Sequence, residues 1–384
     1  MSVRSAVLAA AGLCLALPAA AQVKPPAQMA WTAYDTGSSG FNMVVAIGQA
    51  FKNAYNADIR VLPGSNDIAR LAPVRANRAQ ISAMGIGSYF AMEGIDEFGA
   101  KDWGPQKVRR LMTSLADNNI ALGTAKDANI KTMADLKGKR VAWVVGAPAL
   151  NRNTAAFLAF GGLTWADVKK VEFSGFGASW KGLVNGDVDT AIASTITGVS
   201  RELEASPRGM FWPPVAHADK AGWGRLNKVA PYYFPSNATA GTGGISKSSP
   251  HEGANYPYPI VVAYDTAGAD VVYAVVKGMI DTYAQYKDAA PGADGFELKR
   301  QLLDWVVPYH DGTVRAFKEA GHWSDAAQKR NDDLIKRQTV LAQAWEKMAA
   351  QKGLADDAYK LAWQKTRAES LRAAGMDPIW VDWD

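Results

Sequence analysis

Short apolar segments alternate with amphipathic segments from residue 29 onward. The apolar segments predict strands, at residues 29–34, 58–62, 81–84, 141–145, 171–173, 191–194 and 259–264. Apolar residues at helical spacing predict the helices between them, at residues 41–51, 66–77, 154–160, 180–184 and 270–286. Pro73 should break or kink the second of these helices. Strands that alternate with helices indicate an α/β fold with largely parallel sheets.

The C-terminal segment, residues 324–384, is more polar and predicts two helices, at 325–350 and 356–373. Asp332 precedes Lys336 by four residues and Asp333 precedes Arg337 by four, which predicts two ion pairs along the first helix. We interpret this segment as a C-terminal helical extension that packs on one lobe. A docking or regulatory role is the alternative.

The first 21 residues have the three parts of a secretory signal peptide: a basic start with Arg4, an apolar run, and an Ala-x-Ala end. The run is shorter than the roughly 20 apolar residues that span a bilayer. We expect cleavage after Ala21 and a periplasmic protein, and a buried N-terminal helix is the alternative. The single cysteine, Cys14, lies in this segment.

Length and charge narrow the class of protein. A chain of 384 residues predicts more than one domain, because single cores stop growing near roughly 250–300 residues. The net charge is +5, with Lys and Arg spread along the chain. Nucleic-acid binding needs basic residues clustered on one element, so we expect no nucleic-acid partner for this chain. A mild positive charge suits anionic solutes or an anionic membrane surface.

Motifs for catalysis are missing from the sequence. The four histidines, His217, His251, His310 and His322, are far apart, and none forms a metal-binding pattern with a neighbour. The chain also has neither a G-x-S-x-G elbow nor a phosphate-binding loop. We therefore expect no enzyme, no metal and no cofactor, although triads can assemble from distant positions.

Serine-bearing turns follow three of the predicted strands, at residues 36–40, 64–66 and 85–88. In open parallel sheets, ligands bind outside the carboxyl ends of strands, where helix N-termini offer N–H donors to an anion. The predicted donors in these turns are Ser38, Ser39, Ser65 and Ser88. The alternative is that these serines only cap helices and form turns.

A series of short motifs points to a known family. They are Thr-Gly-Ser-Ser-Gly at 36–40, Gly-Ser at 64–65, Leu-Lys-Gly-Lys-Arg-Val at 136–141, Ala-Gly-Thr at 240–242, Val-Pro-Tyr-His-Asp-Gly at 307–312 and Glu-Ala-Gly at 319–321. In order and spacing, the region from about Trp31 to Trp323 resembles the TAXI class of solute-binding subunits, which serve TRAP transporters.

The resemblance implies a type II periplasmic-binding-protein-like fold of two α/β lobes joined by a hinge. We divide the chain into lobe 1 (residues 22–119 and 245–323) and lobe 2 (residues 120–244). A monomer would close around a small organic anion, such as glutamate or 2-oxoglutarate, and deliver it to a TRAP membrane permease without ATP. The serines at 38, 39, 65 and 88 would supply the contacts from lobe 1.

The chain departs from the TAXI pattern at residues 147–150, where Ala-Pro-Ala-Leu replaces Gly-Ser-Gly-Thr and removes two hydroxyls. Polar residues that could compensate in lobe 2 are Asn151, Asn153, Thr154, Ser194 and Thr195. Arg152 could pair with a carboxylate. The aromatic residues Phe41, Tyr89, Trp143 and Trp180 flank the predicted loops, so an aromatic acid is an alternative ligand.

Three other functions stay open at this level. The protein could report to a membrane signalling partner instead of feeding transport. It could be a secreted hydrolase or isomerase with a scattered site. It could also be an interaction module that works through its helical extension.

Overall fold

A computed structural model of the chain describes residues 23–383. The predicted signal peptide and its cleavage after Ala21 lie outside these residues. The strands are β1 (Gln28–Tyr34), β2 (Asp58–Gly64), β3 (Ile81–Met84), β4 (Val108–Thr113), β5 (Ile120–Ala125), β6 (Arg140–Val144), β7 (Lys169–Phe173), β8 (Thr190–Ser194), β9 (Met210–Phe211), β10 (Phe234–Ala238), β11 (His251–Asn255) and β12 (Ile260–Tyr264).

The α-helices of the described residues begin with α1 (Ser39–Tyr55), α2 (Asp67–Arg75), α3 (Gly87–Glu93), α4 (Pro148–Phe160), α5 (Phe176–Asn185) and α6 (Ser200–Ala205). They continue with α7 (Lys220–Val229), α8 (Ala269–Asp281), α9 (Tyr283–Tyr286), α10 (Asp311–Glu319), α11 (Asp325–Glu346) and α12 (Asp356–Ala373). Each predicted strand and helix is present, with ends that differ by a few residues.

Two five-stranded sheets define two lobes. The first has the order β2-β1-β3-β12-β4, with β1 parallel to both β2 and β3, and β12 antiparallel to its neighbours. The second has the order β7-β6-β8-β5-β9, with β6 parallel to β7 and β8 and with β5 antiparallel to β8. The fold is therefore the predicted two-lobed α/β architecture, in which one late strand returns to the first sheet.

The chain crosses between the lobes at two places. The first crossing joins β4 to β5, next to the predicted boundary at residue 119. Before the second crossing, β10 and β11 form an antiparallel hairpin, and Asn119 at the start of the second lobe donates to the carbonyl oxygens of Ser236 and His251 in it. We propose that the return to the first lobe lies between Asn255 and Ile260, later than the predicted residue 245.

Two local expectations were wrong. Pro73 does not break α2, which continues to Arg75, because the missing N–H of one proline costs the helix a single bond near its end. The ion pairs predicted from Asp332 and Asp333 do not form. Asp333 pairs with Lys329 at 3.0 Å instead, and Arg337 turns inward to a buried partner.

That partner is Glu93, at the end of α3 in the first lobe. Its carboxylate binds Arg337 of α11, with an Nε–Oε1 distance of 2.6 Å, and also Arg367 of α12. Glu93 and Arg367 are both fully buried. Although burial opposes it, the two guanidinium groups lower the pKa of Glu93. The C-terminal extension is thus attached to the first lobe by a buried ionic centre.

Candidate functional site

A cavity lies between the lobes, and we call it the interlobe cavity; its empty space of about 420 Å³ includes a part that is open to solvent. The first lobe and the second crossing line it with Tyr34, Ser38, Ser39, Gly85, Tyr256 and Tyr258. The second lobe lines it with Ile120, Ala149, Leu150, Asn153, Phe176, Ile192, Ala193, Ser194 and Thr197. The cavity lies where the carboxyl ends of β1, β3 and β8 meet, as expected for open sheets.

The lobes touch each other through three hydrogen bonds around this cavity. The carboxylate of Asp35 accepts a hydrogen bond from the amide of Gly177 at 3.0 Å. The carbonyl of Gly37 accepts from Gly198 at 2.9 Å, and the carbonyl of Ser65 accepts from Phe176 at 2.9 Å. These contacts join the turn after β1 and the turn after β2 to the second lobe. The structure is therefore in a closed arrangement.

Helix α1 begins at the floor of the cavity. Ser38 is its N-cap, and the Ser38 hydroxyl accepts from the amide of Phe41 at 3.2 Å. The Tyr258 hydroxyl lies against the amide of Gly40, and a Cβ on Gly40 would come within 2.8 Å of it, so glycine permits this approach. Burial raises the pKa of Tyr258 to about 12, which keeps the hydroxyl protonated. The start of α1 is largely satisfied by the protein itself.

One buried hydroxyl in the cavity lacks a protein partner, and a second wall residue, Ser39, comes from the opposite lobe. The Thr197 hydroxyl, in the loop after β8, forms no hydrogen bond with any described residue, although Thr197 is 1% exposed. Ser39, the first residue of α1, is 3% exposed, and its hydroxyl takes part in none of the side-chain hydrogen bonds between residues 23 and 383. An unpaired buried hydroxyl costs about 1–3 kcal/mol. A ligand that pairs with the Thr197 hydroxyl would recover that free energy.

A third hydroxyl belongs to a network of tyrosines at the back of the cavity. The Asn153 amide donates to the Tyr256 hydroxyl at 2.9 Å, and the Tyr232 hydroxyl donates to the Asn153 carbonyl at 2.7 Å. Burial raises the pKa of both tyrosines. The Tyr256 hydroxyl accepts a bond here, so its own proton stays available to a ligand.

The N-terminus of α4, in the second lobe, is occupied by a carboxylate from the first lobe. Asp67 accepts a hydrogen bond from the Ala149 amide at 2.9 Å. Its other oxygen binds Arg70, and both side chains are fully buried. The Arg70 guanidinium lies 3.4 Å from the centre of the Tyr34 ring, which forms a wall of the cavity. Asp67 therefore neutralises the positive charge of Arg70, which lies behind the Tyr34 ring and is absent from the cavity wall.

The structure brings four of the sequence-predicted site residues together at the interlobe cavity: Ser38, Ser39, Asn153 and Ser194. They come from both lobes. Ser194 already accepts a hydrogen bond from Asn118 at 2.9 Å, and Ser38 caps α1. Of these four, Ser39 keeps the most hydrogen-bonding capacity for a ligand.

The other six predicted residues are absent from the described cavity wall and have local partners. Ser88 donates to Gly85 O and Thr154 to Leu150 O, each at 2.9 Å. Asn151 pairs with both backbone groups of Val144, and Thr195 donates to Ala240 O. The remaining two are Phe41, which packs on the core of the first lobe, and Ser65, whose carbonyl makes the contact described above.

Arg152 is also held by the protein. It pairs with Asp96 across the lobes, with an Nε–Oδ2 distance of 3.0 Å. Trp143 packs edge-on against Trp165 outside the interlobe cavity, and Trp180 is buried with its N–H bonded to Ile192 O. The positively charged and aromatic candidates from the sequence therefore do not contact the cavity.

Sequence reasoning missed the aromatic wall, which consists of Tyr34, Phe176, Tyr256 and Tyr258, and it missed Thr197. The Tyr-Pro-Tyr-Pro run at 256–259 was a usable signal, because prolines and large aromatic residues are unusual in a simple interlobe crossing. Nothing marked Thr197 in the sequence, since its importance depends on the absence of a partner.

Residues 23–383 were also compared with what a membrane-spanning helix and a metal site require. No helix within residues 23–383 has the length and apolarity needed to cross a bilayer. Within the same range, His, Asp and Glu side chains do not gather in a group of three or more that could hold a metal ion.

Comparisons with known proteins give the family. Among solved structures, the chain is similar to the alkanesulfonate-binding protein SsuA from Xanthomonas axonopodis pv. citri, bound to MOPS, with 16% identity, a TM-score of 0.43, and coverage of 86% of this chain and 95% of that one. It is similar to SsuA from Escherichia coli, a periplasmic aliphatic sulphonate binding protein, with 14% identity, a TM-score of 0.40, and coverage of 82% and 88%.

An ancestral arginine-binding protein bound to arginine matches with 12% identity and a TM-score of 0.41, over 69% of this chain and 96% of that one. The model of the NMT1-like family matches residues 32–321, which include the whole wall of the interlobe cavity and both sheets except the first four residues of β1. The chain belongs to the NMT1-like family.

Proposed function

We propose that this protein is a periplasmic solute receptor that captures a small organic molecule in the interlobe cavity and delivers it to a membrane permease. One observation carries the proposal. Ser39 and Thr197 come from opposite lobes and line the same cavity, and the buried Thr197 hydroxyl lacks a hydrogen-bond partner among the described residues. A ligand bound to both would favour the closed arrangement over an open one.

The ligand that suits this cavity is a small organic acid. Donors from Ser39, Thr197 and Tyr256 surround the polar end, and the start of α1 places a partial positive charge of roughly half a unit beside it. Phe176, Leu150 and Ile192 offer an apolar surface to the rest of the molecule. Because the surrounding residues are buried, each hydrogen bond to an anion is stronger here than in bulk solvent.

Export and delivery are parts of the same proposal. The N-terminal segment predicts secretion, and the motif resemblance to TAXI subunits favours a TRAP permease as the partner, with the protein acting as a monomer. Deletion of the TRAP permease genes of the source organism would abolish uptake of the bound solute if this assignment is correct. Unchanged uptake would favour the alternative in which the protein reports to a membrane signalling partner.

Thermal-shift screening followed by calorimetry tests the receptor. We expect at least one small organic acid to raise the melting temperature, because a ligand that binds only the folded state stabilises it by mass action. Ser39→Ala and Thr197→Val should each weaken the Kd of that ligand by about 3- to 10-fold, the cost of one hydrogen bond.

Thr154→Val is the matched control, because this buried hydroxyl bonds within α4 and is absent from the cavity wall. An equal loss of affinity in Thr154→Val and Thr197→Val would show that the effect is structural and would contradict the site. Turnover of the bound molecule would instead favour the hydrolase or isomerase alternative.

A further inference from the structure

A second cavity lies where the two lobes meet the end of the C-terminal extension, and we call it the tryptophan groove. Its empty space is about 680 Å³, part of which is open to solvent. The first lobe contributes Asp96 and Glu97 to its wall, the second lobe contributes Trp143, Arg152 and Trp165, and the extension contributes Trp383. None of these six residues lines the interlobe cavity, so the groove is a separate candidate site.

Three indole rings form the aromatic part of this wall. Trp143 and Trp165 pack edge to face, with their ring centres 5.0 Å apart. The Lys170 ammonium lies 4.6 Å from the centre of the Trp143 ring, and the Arg367 guanidinium lies 5.5 Å from the centre of the Trp383 ring. The face of an indole attracts cations, and organic ammonium ions are bound in this way by groups of aromatic side chains. The groove therefore offers ring surface of a kind that suits a cation.

The charges on the groove wall favour a cation as well. Arg152 is balanced by Asp96, with an Nε–Oδ2 distance of 3.0 Å. Glu97 and Asp382, which also lines the groove, form no salt bridge with any residue between 23 and 383. Burial, and then the neighbouring Asp96, raise the pKa of Glu97 to about 7. A bound cation would stabilise the charged form of Glu97.

The indole N–H of Trp383 is a buried donor that lines the same groove. Trp383 is 5% exposed, and its Nε1 forms no hydrogen bond within the described part of the chain. The residue is held in place because Gln364 donates to its carbonyl oxygen at 2.6 Å. An unpaired buried donor costs about 1–3 kcal/mol. A ligand that carries a hydrogen-bond acceptor beside its positive charge would recover this free energy.

We propose that the tryptophan groove is a second binding site, which takes a small organic ammonium ion with a neutral acceptor, such as a hydroxyl, next to its charge. The indole rings contact the cation, Glu97 and Asp382 balance its charge, and the Trp383 N–H donates to the acceptor. A zwitterion is disfavoured, because its carboxylate would meet these two acids. Since both lobes contribute to the wall, an occupied groove favours the closed arrangement.

The test compares a cation with an uncharged molecule of the same shape. Calorimetry on the full protein would use choline as the probe and 3,3-dimethylbutan-1-ol as its neutral control, in which carbon replaces the charged nitrogen. We expect choline to bind at least about tenfold more tightly, because only choline gains from the rings and carboxylates. Equal affinity for the two compounds, or no saturable binding of choline, would overturn the proposal.

Variants of the groove locate the site. Glu97→Gln and Trp165→Leu should each weaken the Kd of choline by about 3- to 10-fold. The controls are Glu369→Gln, which removes the same charge outside the groove, and Trp323→Leu, which removes a partly exposed indole elsewhere. Both controls should leave the Kd unchanged, and losses equal to those of the groove variants would contradict the site. If Trp165→Leu fails to fold, Glu97→Gln decides, because it preserves the shape of the side chain.

A final measurement separates the groove from the interlobe cavity, which also has aromatic walls. In an NMR titration, choline should shift the indole N–H resonance of Trp383. Thr197→Val should leave the Kd of choline unchanged, since Thr197 lines only the interlobe cavity of the two. Weaker choline binding in Thr197→Val, with no shift at Trp383, would assign choline to the interlobe cavity and overturn the second site.

Discussion

Two buried carboxylates hold this molecule together in different ways. Glu93 joins the C-terminal extension to the first lobe and binds two arginines, both from the extension. Asp67 joins the first lobe to the second and binds one arginine of its own helix and one amide of the other lobe. The ion pairs of Glu93 do not depend on whether the two lobes are open or closed. The hydrogen bond from the Ala149 amide to Asp67, in contrast, exists only when the lobes are closed.

This difference separates a structural interface from a functional one. Around Glu93, guanidinium groups and backbone carbonyls pair with one another; for example, Arg367 also donates to Pro378 O and Trp380 O. In the interlobe cavity, the buried Thr197 hydroxyl is left without a partner among the described residues. A fully paired buried centre stabilises one arrangement, and an incompletely paired one has capacity for a ligand.

The largest effect is expected at the extension. Arg367→Met leaves Glu93 fully buried with one of its two cations, and loss of a partner from a buried ionic centre costs about 3–5 kcal/mol of unfolding free energy. Chemical denaturation measures this loss, with Lys336→Met, an exposed lysine of the same helical pair, as control. Ligand affinity of the folded variant should be unchanged. A stability equal to that of Lys336→Met would contradict the role of the Glu93 centre.

A second prediction contrasts Glu93 with Glu97, which has no such partners. Burial, and then the neighbouring Asp96, raise the pKa of Glu97 to about 7, above its ordinary value of 4.5. The folded state therefore binds this proton more tightly, and stability is lost as the pH rises from about 4.5 to 7. Glu97→Gln should raise the Tm at pH 8 by roughly 2 °C or more and change it little at pH 4.5.

Glu93→Gln should instead lower the Tm at pH 8. The pKa of Glu93 is lowered, so the stabilisation from its carboxylate is present above the unfolded pKa and is lost in acid. Differential scanning calorimetry across this pH range measures both variants. Destabilisation of the protein by Glu97→Gln at pH 8 would show that the Glu97 carboxylate has a cationic partner after all.

The smallest effect is expected from the interlobe contact Arg152–Asp96, which lies outside the interlobe cavity. Arg152→Met should weaken ligand binding up to about tenfold. Without this contact a smaller fraction of the molecules is in the closed arrangement, and the apparent affinity falls in proportion to that fraction. Arg225→Met is the control, since Arg225 bonds only to carbonyls of its own lobe. An equal loss of affinity in both variants would contradict a closure that depends on interlobe contacts.

Several features of the fold could be predicted from local patterns. The turn at residues 36–40 indicated a helix start, and Ser38 and Ser39 do lie at the start of α1, because a serine before an apolar helix is a reliable N-cap. The start of α4 was set too late, at Thr154, because Pro148 was not used as a first helical residue, a position that proline favours. Asn153 entered the cavity wall and Thr154 did not, since neighbouring positions on a helix face different directions.

The order of strands and helices, the small turns and the polar C-terminal helices follow from the sequence alone, because hydrophobic period and turn chemistry act over a few residues. The tertiary structure decided which hydroxyls are free. Ser194 received a bond from Asn118, Asn153 received one from Tyr232, and Thr197 received none among the described residues. Hydrogen-bond partners come from distant parts of the chain, so only the folded protein determines which polar groups remain for a ligand.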